Sequence, residues 1–452
     1  MRSIYNEVSK FMDSNLHLIK YMSVEDKEAL YNKSGKKLKV IIESIKNWTY
    51  RCEPIYIKKS NEGNLLFSHT TKLISLPSLN DIILQIAIKI LIESECEKKI
   101  FNKQNFGFRP NRSVHHALNS VKKMKGVTWI IEGRVNKVFE NIHYNILVNI
   151  IKKKLNPDRT LIGIFYKLLN AGYLVNACYD IYRDYVWRNV DKVFLGGIIS
   201  PILLNLYLTP LDEFIDKLKE NYALSPLKIY YVRFANEWVI GVEGDVQNHE
   251  ELAKKIQDQI RTFLQDELKL ELDKNKLIHL GRGYAKFLTH YLRWSIPSSL
   301  KSPSPSRGVN NVLLSSPKVI ITPTILIPLK DLKSKLIEKG FADDTGYPKY
   351  VGKLLHLSDY DIVKNYNSLL TKIFVFYNMA ANRSDLRELL YILEYSLAHT
   401  LAAKHRSTLS KIFKKYGKPI VVNVRGLGKI KFSRPDSLKA AYLNNKYKKF
   451  SV

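Results

Sequence analysis

Apolar residues recur with helical spacing in some parts of the chain and form short extended runs in others. Spacing of three and four residues predicts an amphipathic helix over about 80–98. Short apolar runs at 127–133 and 228–242 predict strands, the second run folding back at a tight turn near Asn236. The first part of the chain is therefore predicted to mix helices with sheet.

The pattern becomes helical in the last third of the chain. Ser358 and Asp361 form a capping box ahead of an apolar stripe, which predicts the start of a helix. Leucines over 386–401 predict a second helix, and residues 411–416 predict a short third one. Six prolines among serines over 297–328 are typical of a linker between two domains.

The charge balance indicates a polyanionic partner. Lysine and arginine number 72 against 42 acidic residues, which gives a net charge of +30. Nucleic acid is the first candidate for so basic a chain, and its 27 tyrosines and 18 phenylalanines suit stacking on unpaired RNA bases. Three dispersed cysteines argue against a disulfide framework, and the lack of a run of about 18 apolar residues predicts no membrane span.

Four segments occur in an order and spacing that resemble the reverse-transcriptase domain of group II intron-encoded proteins. They are FGFRPNRS at 106–113, EGRVNKVFENI at 132–142, the glycine-led apolar stretch at 196–212, and YVRFANEW at 231–238. The resemblance covers about residues 50–295. It implies α/β fingers and palm subdomains, followed by an all-α, thumb-like domain.

The last third of the chain resembles the maturase domain of the same proteins, often called domain X. Matching positions include Gly346 to Pro348, Tyr366, Tyr377 and the stretch 401–417. In that family the domain binds intron RNA and helps it to splice. The predicted organisation is a helical extension at 1–49, the fingers and palm at 50–296, a linker at 297–324, the maturase domain at 325–420 and a basic tail at 421–452.

The sequence departs from the family at the positions that hold two Mg²⁺ ions in polymerases. The family places three aspartates where this chain has Arg134, Asn236 and Glu237. A guanidinium has no lone pair for a cation, and an amide oxygen is a weak substitute for a carboxylate. We therefore predict no catalytic residue, no metal and no cofactor, with Arg134 pairing with Glu237 across the former site.

Other positions agree with a loss of polymerase chemistry or have ordinary structural explanations. Phe194-Leu195 replaces the family's Pro-Gln, and Lys72 stands where arginine is usual. His115-His116 has no third ligand at metal spacing. The remaining acids are predicted to take surface or capping roles; they are Glu140, Asp212 and Asp245.

Cations in two segments are candidates for phosphate contacts. Arg109 and Arg112 lie in the first family motif, where an ordered loop with a helix cap is the alternative reading. The other candidates follow the leucine-rich helix and are predicted to form one RNA-binding surface; they are Lys404, His405, Arg406, Lys411, Lys414, Lys415 and Lys418.

These features predict a maturase that binds a group II or related group III intron and assists its splicing, with the catalysis carried by the RNA. Two alternatives stay open: an RNA-scaffold protein of a ribosome or other ribonucleoprotein, and an active RNA-directed DNA polymerase. Heavy use of lysine, isoleucine, asparagine and tyrosine indicates an A+T-rich genome. The chain is similar in this respect to organellar maturases, with euglenoid plastids favoured over mitochondria, and a homodimer remains open.

Overall fold

The computed structural model describes residues 40–60, 72–135, 137–175, 186–187, 192–193, 197–222, 228–243, 249–294, 322–424 and 428–433. Several predicted features lie outside these residues: most of the N-terminal extension, Phe194-Leu195, Asp245, the linker up to 321 and the tail beyond 433. Contacts divide the chain into two units. The first takes its described residues from 40–60, 72–117 and 128–278, and the second from 118–127 and 279–433.

The first unit alternates helices and strands, as predicted. Its helices are α1 (Leu79–Glu95), α2 (Val114–Lys122), α3 (Tyr144–Leu155), α4 (Arg159–Asn170), α5 (Ser200–Tyr207), α6 (Thr209–Asn221) and α7 (His249–Glu267). The division between the two units falls within α2, after residue 117. Its strands are β1 (Ile55–Ser60), β2 (Lys72–Leu76), β3 (Val127–Val135), β4 (Ile142–His143), β5 (Tyr173–Val175), β6 (Val186–Trp187), β7 (Lys192–Val193), β8 (Ile229–Phe234), β9 (Glu237–Glu243) and β10 (Leu272–His279).

One sheet of the first unit determines where its candidate site lies. Its strand order is β10-β3-β9-β8, so β3 lies between β10 and β9. Strands β8 and β9 form an antiparallel hairpin in which Phe234 pairs with Glu237. A second sheet has the order β2-β1-β5-β6, and β4 pairs with β7.

Strand β3 is buried along almost its whole length because helices and neighbouring strands cover its apolar run. Arg134 is its one residue with intermediate exposure. At Gly133 a side chain has no room, since a Cβ atom there would lie 2.1 Å from the Trp238 ring. The buried ring of Trp238 therefore requires glycine at this position of β3.

The second unit contains the helices predicted for the last third of the chain. They are α8 (Leu329–Glu338), α9 (Asp359–Phe376), α10 (Leu386–Lys404) and α11 (Leu409–Tyr416). Its strands are β11 (Ala285–Phe287), β12 (His290–Trp294), β13 (Pro323–Leu326), β14 (Val421–Val424) and β15 (Gly428–Lys431), with β11-β12-β13 forming one sheet and β14-β15 a hairpin. Within the described residues, no helix has the length and apolar character that crossing a bilayer requires.

The predicted capping box is confirmed, since the Ser358 hydroxyl accepts a hydrogen bond from the Asp361 amide at 3.1 Å. Helices α9 and α10 pack against each other through their apolar stripes, and the buried Tyr366 hydroxyl lies 2.9 Å from Ser396 Oγ and 3.0 Å from Thr400 Oγ1. These contacts fix the register of the two helices within the second unit.

Folded structure continues past the predicted boundary at 420. Phe432 is fully buried, and its amide donates to the Ile420 carbonyl at 2.8 Å. Asn367 on α9 bonds both sides of the same segment, donating to the Lys431 carbonyl and accepting from the Ser433 amide. The hairpin β14-β15 therefore belongs to the helical unit rather than to a separate tail.

Candidate functional site

The turn between β8 and β9 is held in an unusual backbone conformation. Ala235 has a φ of +55°, which lies in the left-handed backbone region that residues other than glycine seldom adopt. The loop carrying the first family motif packs directly against it, since a Cβ atom on Gly107 would lie 2.1 Å from the Ala235 nitrogen. Close backbone approach therefore explains the glycine at 107.

The structure brings together the three positions that the resemblance assigns to metal binding. The Val135 amide, next to Arg134, donates to the Asn236 carbonyl at 3.1 Å. The Asn236 side-chain amide donates back to the Val135 carbonyl at 2.5 Å. Arg134, Asn236 and Glu237 thus meet where the end of β3 reaches the hairpin turn.

The side chains at this meeting point do not fit a pair of magnesium ions. Mg²⁺ requires oxygen ligands at about 2.0–2.1 Å, whereas the Arg134 guanidinium is a donor with a permanent positive charge. The Asn236 amide nitrogen is already hydrogen-bonded to the strand. In the described part of the chain, no group of three or more His, Cys, Asp or Glu side chains is placed to hold a metal ion. The Arg134–Glu237 ion pair remains a prediction.

A buried ion pair lies directly behind the turn. Arg233 and Asp212 are 0% and 1% exposed in their side chains, and Arg233 Nε and Nη2 donate to the two carboxylate oxygens at 2.8 and 2.6 Å. The Tyr231 hydroxyl donates to the same carboxylate at 2.7 Å. The predicted surface or capping role of Asp212 is therefore wrong, whereas Glu140 is exposed as predicted.

The remaining donors of Arg233 extend this pair into a network beneath the turn. Nη1 donates to the Ala235 carbonyl at 2.9 Å and to Asn205 Oδ1 at 3.1 Å. Asn205 in turn donates to the Gly107 carbonyl at 2.8 Å and accepts from Asn105 at 3.2 Å. One buried guanidinium thus ties helices α5 and α6 to the hairpin turn and to the first-motif loop.

Arg109 takes a structural role in the same loop. Its side chain is 3% exposed and forms a two-pronged pair with Glu97, both N–O distances being 2.8 Å. Nη1 also donates to the carbonyls of Asn102 and Asn105. Because these donors are occupied and buried, the geometry favours the ordered-loop reading over a phosphate contact at Arg109.

Arg112 is half-buried and lies against Phe106, with its guanidinium carbon 5.1 Å from the ring centroid. Its Nη1 donates to the carbonyls of Lys103 and Asn105. Burial and the neighbouring Arg109 lower the pKa of Arg112. Arg112 therefore makes most of its contacts within the loop, and part of its side chain is exposed to solvent.

In the second unit, two of the predicted RNA-binding cations, Lys404 and His405, converge on one carboxylate that the sequence did not single out. Asp359, at the first position of α9, pairs with Lys404 Nζ and His405 Nε2, each at 2.8 Å. The Tyr416 hydroxyl donates to the same carboxylate at 2.7 Å. Asp359 therefore joins the start of α9 to the ends of α10 and α11.

The other predicted cations of this region point outward. Arg406 has a φ of +46° and is exposed at the bend between α10 and α11. Lys411, Lys414 and Lys415 are exposed along α11. Exposed lysine and arginine side chains of this kind can pair with phosphates, although Lys415 Nζ also lies 4.7 Å from the Tyr416 ring centroid. We call the set of Arg406, Lys411, Lys414 and Lys415 the basic surface.

Known proteins resemble both parts of the chain. The family described as reverse transcriptase (RNA-dependent DNA polymerase) matches residues 57–302, and the type II intron maturase family matches residues 321–450. The group II intron-encoded protein LtrA of Lactococcus lactis subsp. cremoris is 29% identical over 442 residues, which cover 84% of this chain and 69% of LtrA.

Two further relatives match more weakly or over less of the chain. The putative COX1/OXI3 intron 1 protein of Saccharomyces cerevisiae is 26% identical, over 76% of this chain and 46% of that protein. Maturase K of Palhinhaea cernua is 34% identical over 112 residues, which are 25% of this chain and 22% of maturase K.

The chain belongs to the reverse transcriptase family, whose sequence pattern covers more than half of it. Together with the maturase segment, this makes it a member of the group II intron maturase and reverse transcriptase family. Its fold is the reverse-transcriptase-like α/β fingers and palm followed by a helical domain.

Asp212→Ala tests the buried network. Removing the carboxylate leaves the Arg233 charge buried without its partner, a change that costs about 3–5 kcal/mol in comparable sites. We expect the chemical-unfolding midpoint of the first unit to fall accordingly. The double variant Asp212→Leu/Arg233→Met should recover most of the lost stability, because neither charge then remains buried. Equal destabilisation in the single and double variants would refute the pairing argument.

Asp359 provides a pH-dependent test in the second unit. Burial alone would raise the pKa of Asp359, but hydrogen bonds from Lys404, Tyr416 and His405 outweigh it and lower the pKa below its ordinary value of 3.8. The stabilisation is therefore present above about pH 4 and lost as pH falls through the lowered pKa. Asp359→Asn should reduce stability at pH 7 by about 1 kcal/mol and flatten the acid limb of the unfolding curve.

The control for Asp359 is Asp344→Asn, which removes an exposed acid from the same unit. Its unfolding midpoints at pH 7 and pH 3 should match those of the wild type. An Asp359→Asn protein that follows the wild-type pH profile would show that the carboxylate does not organise these helix ends.

Proposed function

We propose that the protein binds group II intron RNA and stabilises its splicing-competent fold, without copying RNA into DNA. The family assignment supports a splicing-related role. The observation that carries the proposal is the basic surface, four exposed cations presented by the ends of α10 and α11. The chemistry of splicing would then belong to the RNA.

Binding alone is sufficient for such a role. A protein that binds the native RNA fold more tightly than misfolded forms shifts the RNA population toward the native fold by that difference in binding free energy. Asp359 supports this role because it holds the helix ends that present the cations. A fixed array of charges can select the phosphate spacing of a folded RNA.

The loss of polymerase chemistry is part of the proposal. Arg134 and the Asn236 amide meet where the family needs carboxylates. A fixed positive charge at that point opposes both a magnesium ion and the electrostatic stabilisation that phosphoryl transfer requires. We infer that the first unit serves as a scaffold.

The names of the relatives also bear on the cellular location. One relative, from Marchantia polymorpha, is described as a mitochondrial protein, which supports our proposal of an organellar origin. We propose the plastid rather than the mitochondrion, because the amino-acid usage resembles that of organellar maturases. A homodimer remains a prediction.

Salt dependence tests the basic surface. A variant with alanine at Arg406, Lys411, Lys414 and Lys415 should bind intron RNA more weakly, with the slope of log K against log salt reduced by about one unit per lost phosphate contact. Filter binding between low and high KCl measures the slope, and a splicing assay on the same intron measures the consequence.

The matched control removes four exposed cations from the first unit, namely Lys254, Lys255, Arg261 and Lys276. This variant has the same net charge, so it separates a local contact from a general charge effect. We expect its slope to change less than that of the basic-surface variant. Identical slopes for the wild type and the basic-surface variant would remove this surface from the RNA interface.

Primer extension tests the polymerase part of the proposal. Purified protein with template, primer, dNTPs and Mg²⁺ should give no product, because Arg134 cannot ligate a cation. A reverse transcriptase of known activity serves as the positive control. Extension by the wild type that disappears in Glu237→Ala would show that the site uses displaced carboxylates, and the proposal would then be wrong.

A further inference from the structure

Helix α10 carries two stripes on opposite sides. Leu389, Leu393 and Leu397 are fully buried and pack into the core of the second unit. Tyr391 and Tyr395 each follow a buried leucine by two residues, which is about 200° around an α-helix. Tyr391 is 48% exposed, so the hydrophobic core does not account for its ring.

The tyrosine side of α10 continues onto α11 as a row of rings. The ring centroids of Tyr391 and Tyr395 are 4.5 Å apart, and those of Tyr395 and Phe413 are 5.6 Å apart. Lys418 Nζ lies 4.6 Å from the Tyr395 centroid and donates to its hydroxyl at 2.8 Å. We call Tyr391, Tyr395, Phe413 and Lys418 the aromatic strip.

The surroundings of the aromatic strip are positively charged. Arg387 is exposed one helical turn before Tyr391, and Lys414 is exposed beside Phe413. The acid nearest in sequence to Arg387 is Glu388, and it is paired with Lys333. Tyr391 is exposed, and Tyr395 and Phe413 are partly exposed. Accessible rings bordered by cations can stack on bases while the cations contact the phosphates between them.

We propose that the aromatic strip is a stacking site for unpaired RNA bases. This inference rests on the proposed function in that RNA is the partner, and it adds that single-stranded segments, rather than duplex, bind here. Base faces are covered by their neighbours within a duplex, so a ring can reach them only where the RNA is unpaired. The adjoining basic surface would hold the flanking phosphates.

The test compares a short single-stranded oligoribonucleotide carrying one 2-aminopurine, the same strand in a duplex, and an abasic oligomer of equal length. Tyr391→Leu should weaken single-strand binding about tenfold, which corresponds to about 1.4 kcal/mol and lies within the range for stacking on one ring. It should change duplex binding by less than about twofold. Binding to the wild type should quench 2-aminopurine fluorescence, and the quench should be reduced in Tyr391→Leu.

Two matched variants separate stacking from other effects. Tyr391→Phe keeps the ring and should bind as the wild type does. Tyr284→Leu removes a tyrosine of the same unit that is 47% exposed and lies 5.1 Å from Arg293, and it should leave binding unchanged. Thermal melting checks each fold, and Tyr395→Leu provides a second ring deletion if Tyr391→Leu melts early.

Three results would overturn the proposal: abasic oligomer bound as tightly as the base-bearing strand, equal losses for single strand and duplex in Tyr391→Leu, or no binding of any short oligomer by the wild type. The last result is distinguishable from failure of the proposed function, because structured intron RNA could still bind through the basic surface. Conversely, the oligomers could bind as expected even if the intron does not.

Discussion

The buried pair between Asp212 and Arg233 fixes the hairpin turn of the first unit. Two charges taken out of water are tolerable only if each finds its partner and its remaining hydrogen bonds are satisfied. Arg233 meets that requirement through Asp212, Asn205 and the Ala235 carbonyl. The hairpin turn is therefore fixed by groups beneath it, independently of the side chains that the turn presents.

This arrangement separates the scaffold from the chemistry at its surface. In the family, carboxylates at the turn and on β3 serve polymerisation, and here Arg134 and Asn236 stand in their places. The Arg233–Asp212 pair and the Asn205 bond to the Gly107 carbonyl are both present below the turn despite those differences. Our proposal is that a fold kept in this way supports RNA binding without the two metal ions of a polymerase.

Helices and strands were easier to predict from the sequence than the side chains that pair with one another. Helical periodicity and the Ser358 capping box located α1, α9 and α10, because these signals depend on residues a few positions apart. The role of Asp212 was missed because its partner Arg233 is 21 residues away and nothing local indicates the pairing. The pairing of Arg109 with Glu97 has no local signal for the same reason, since Glu97 lies on a different element.

One feature of the second unit does have a signal in the sequence. The spacing of Tyr391 and Tyr395, opposite a leucine stripe, marks an aromatic face that an amphipathic helix does not need for its core. Asp359 gave no such signal, because Lys404, His405 and Tyr416 reach it only after the helices have packed. The hairpin beyond residue 420 also lacks a local signal, because its short basic sequence resembles a solvated tail and the burial of Phe432 depends on the packed helices.

Crosslinking of the protein to RNA in its native host, followed by sequencing of the bound fragments, tests the central claim most directly. The account predicts reads concentrated in one or more group II introns, with crosslinks on the α10–α11 region of the protein. Reads confined to ribosomal RNA, with none from introns, would contradict it and would favour a ribonucleoprotein scaffold instead.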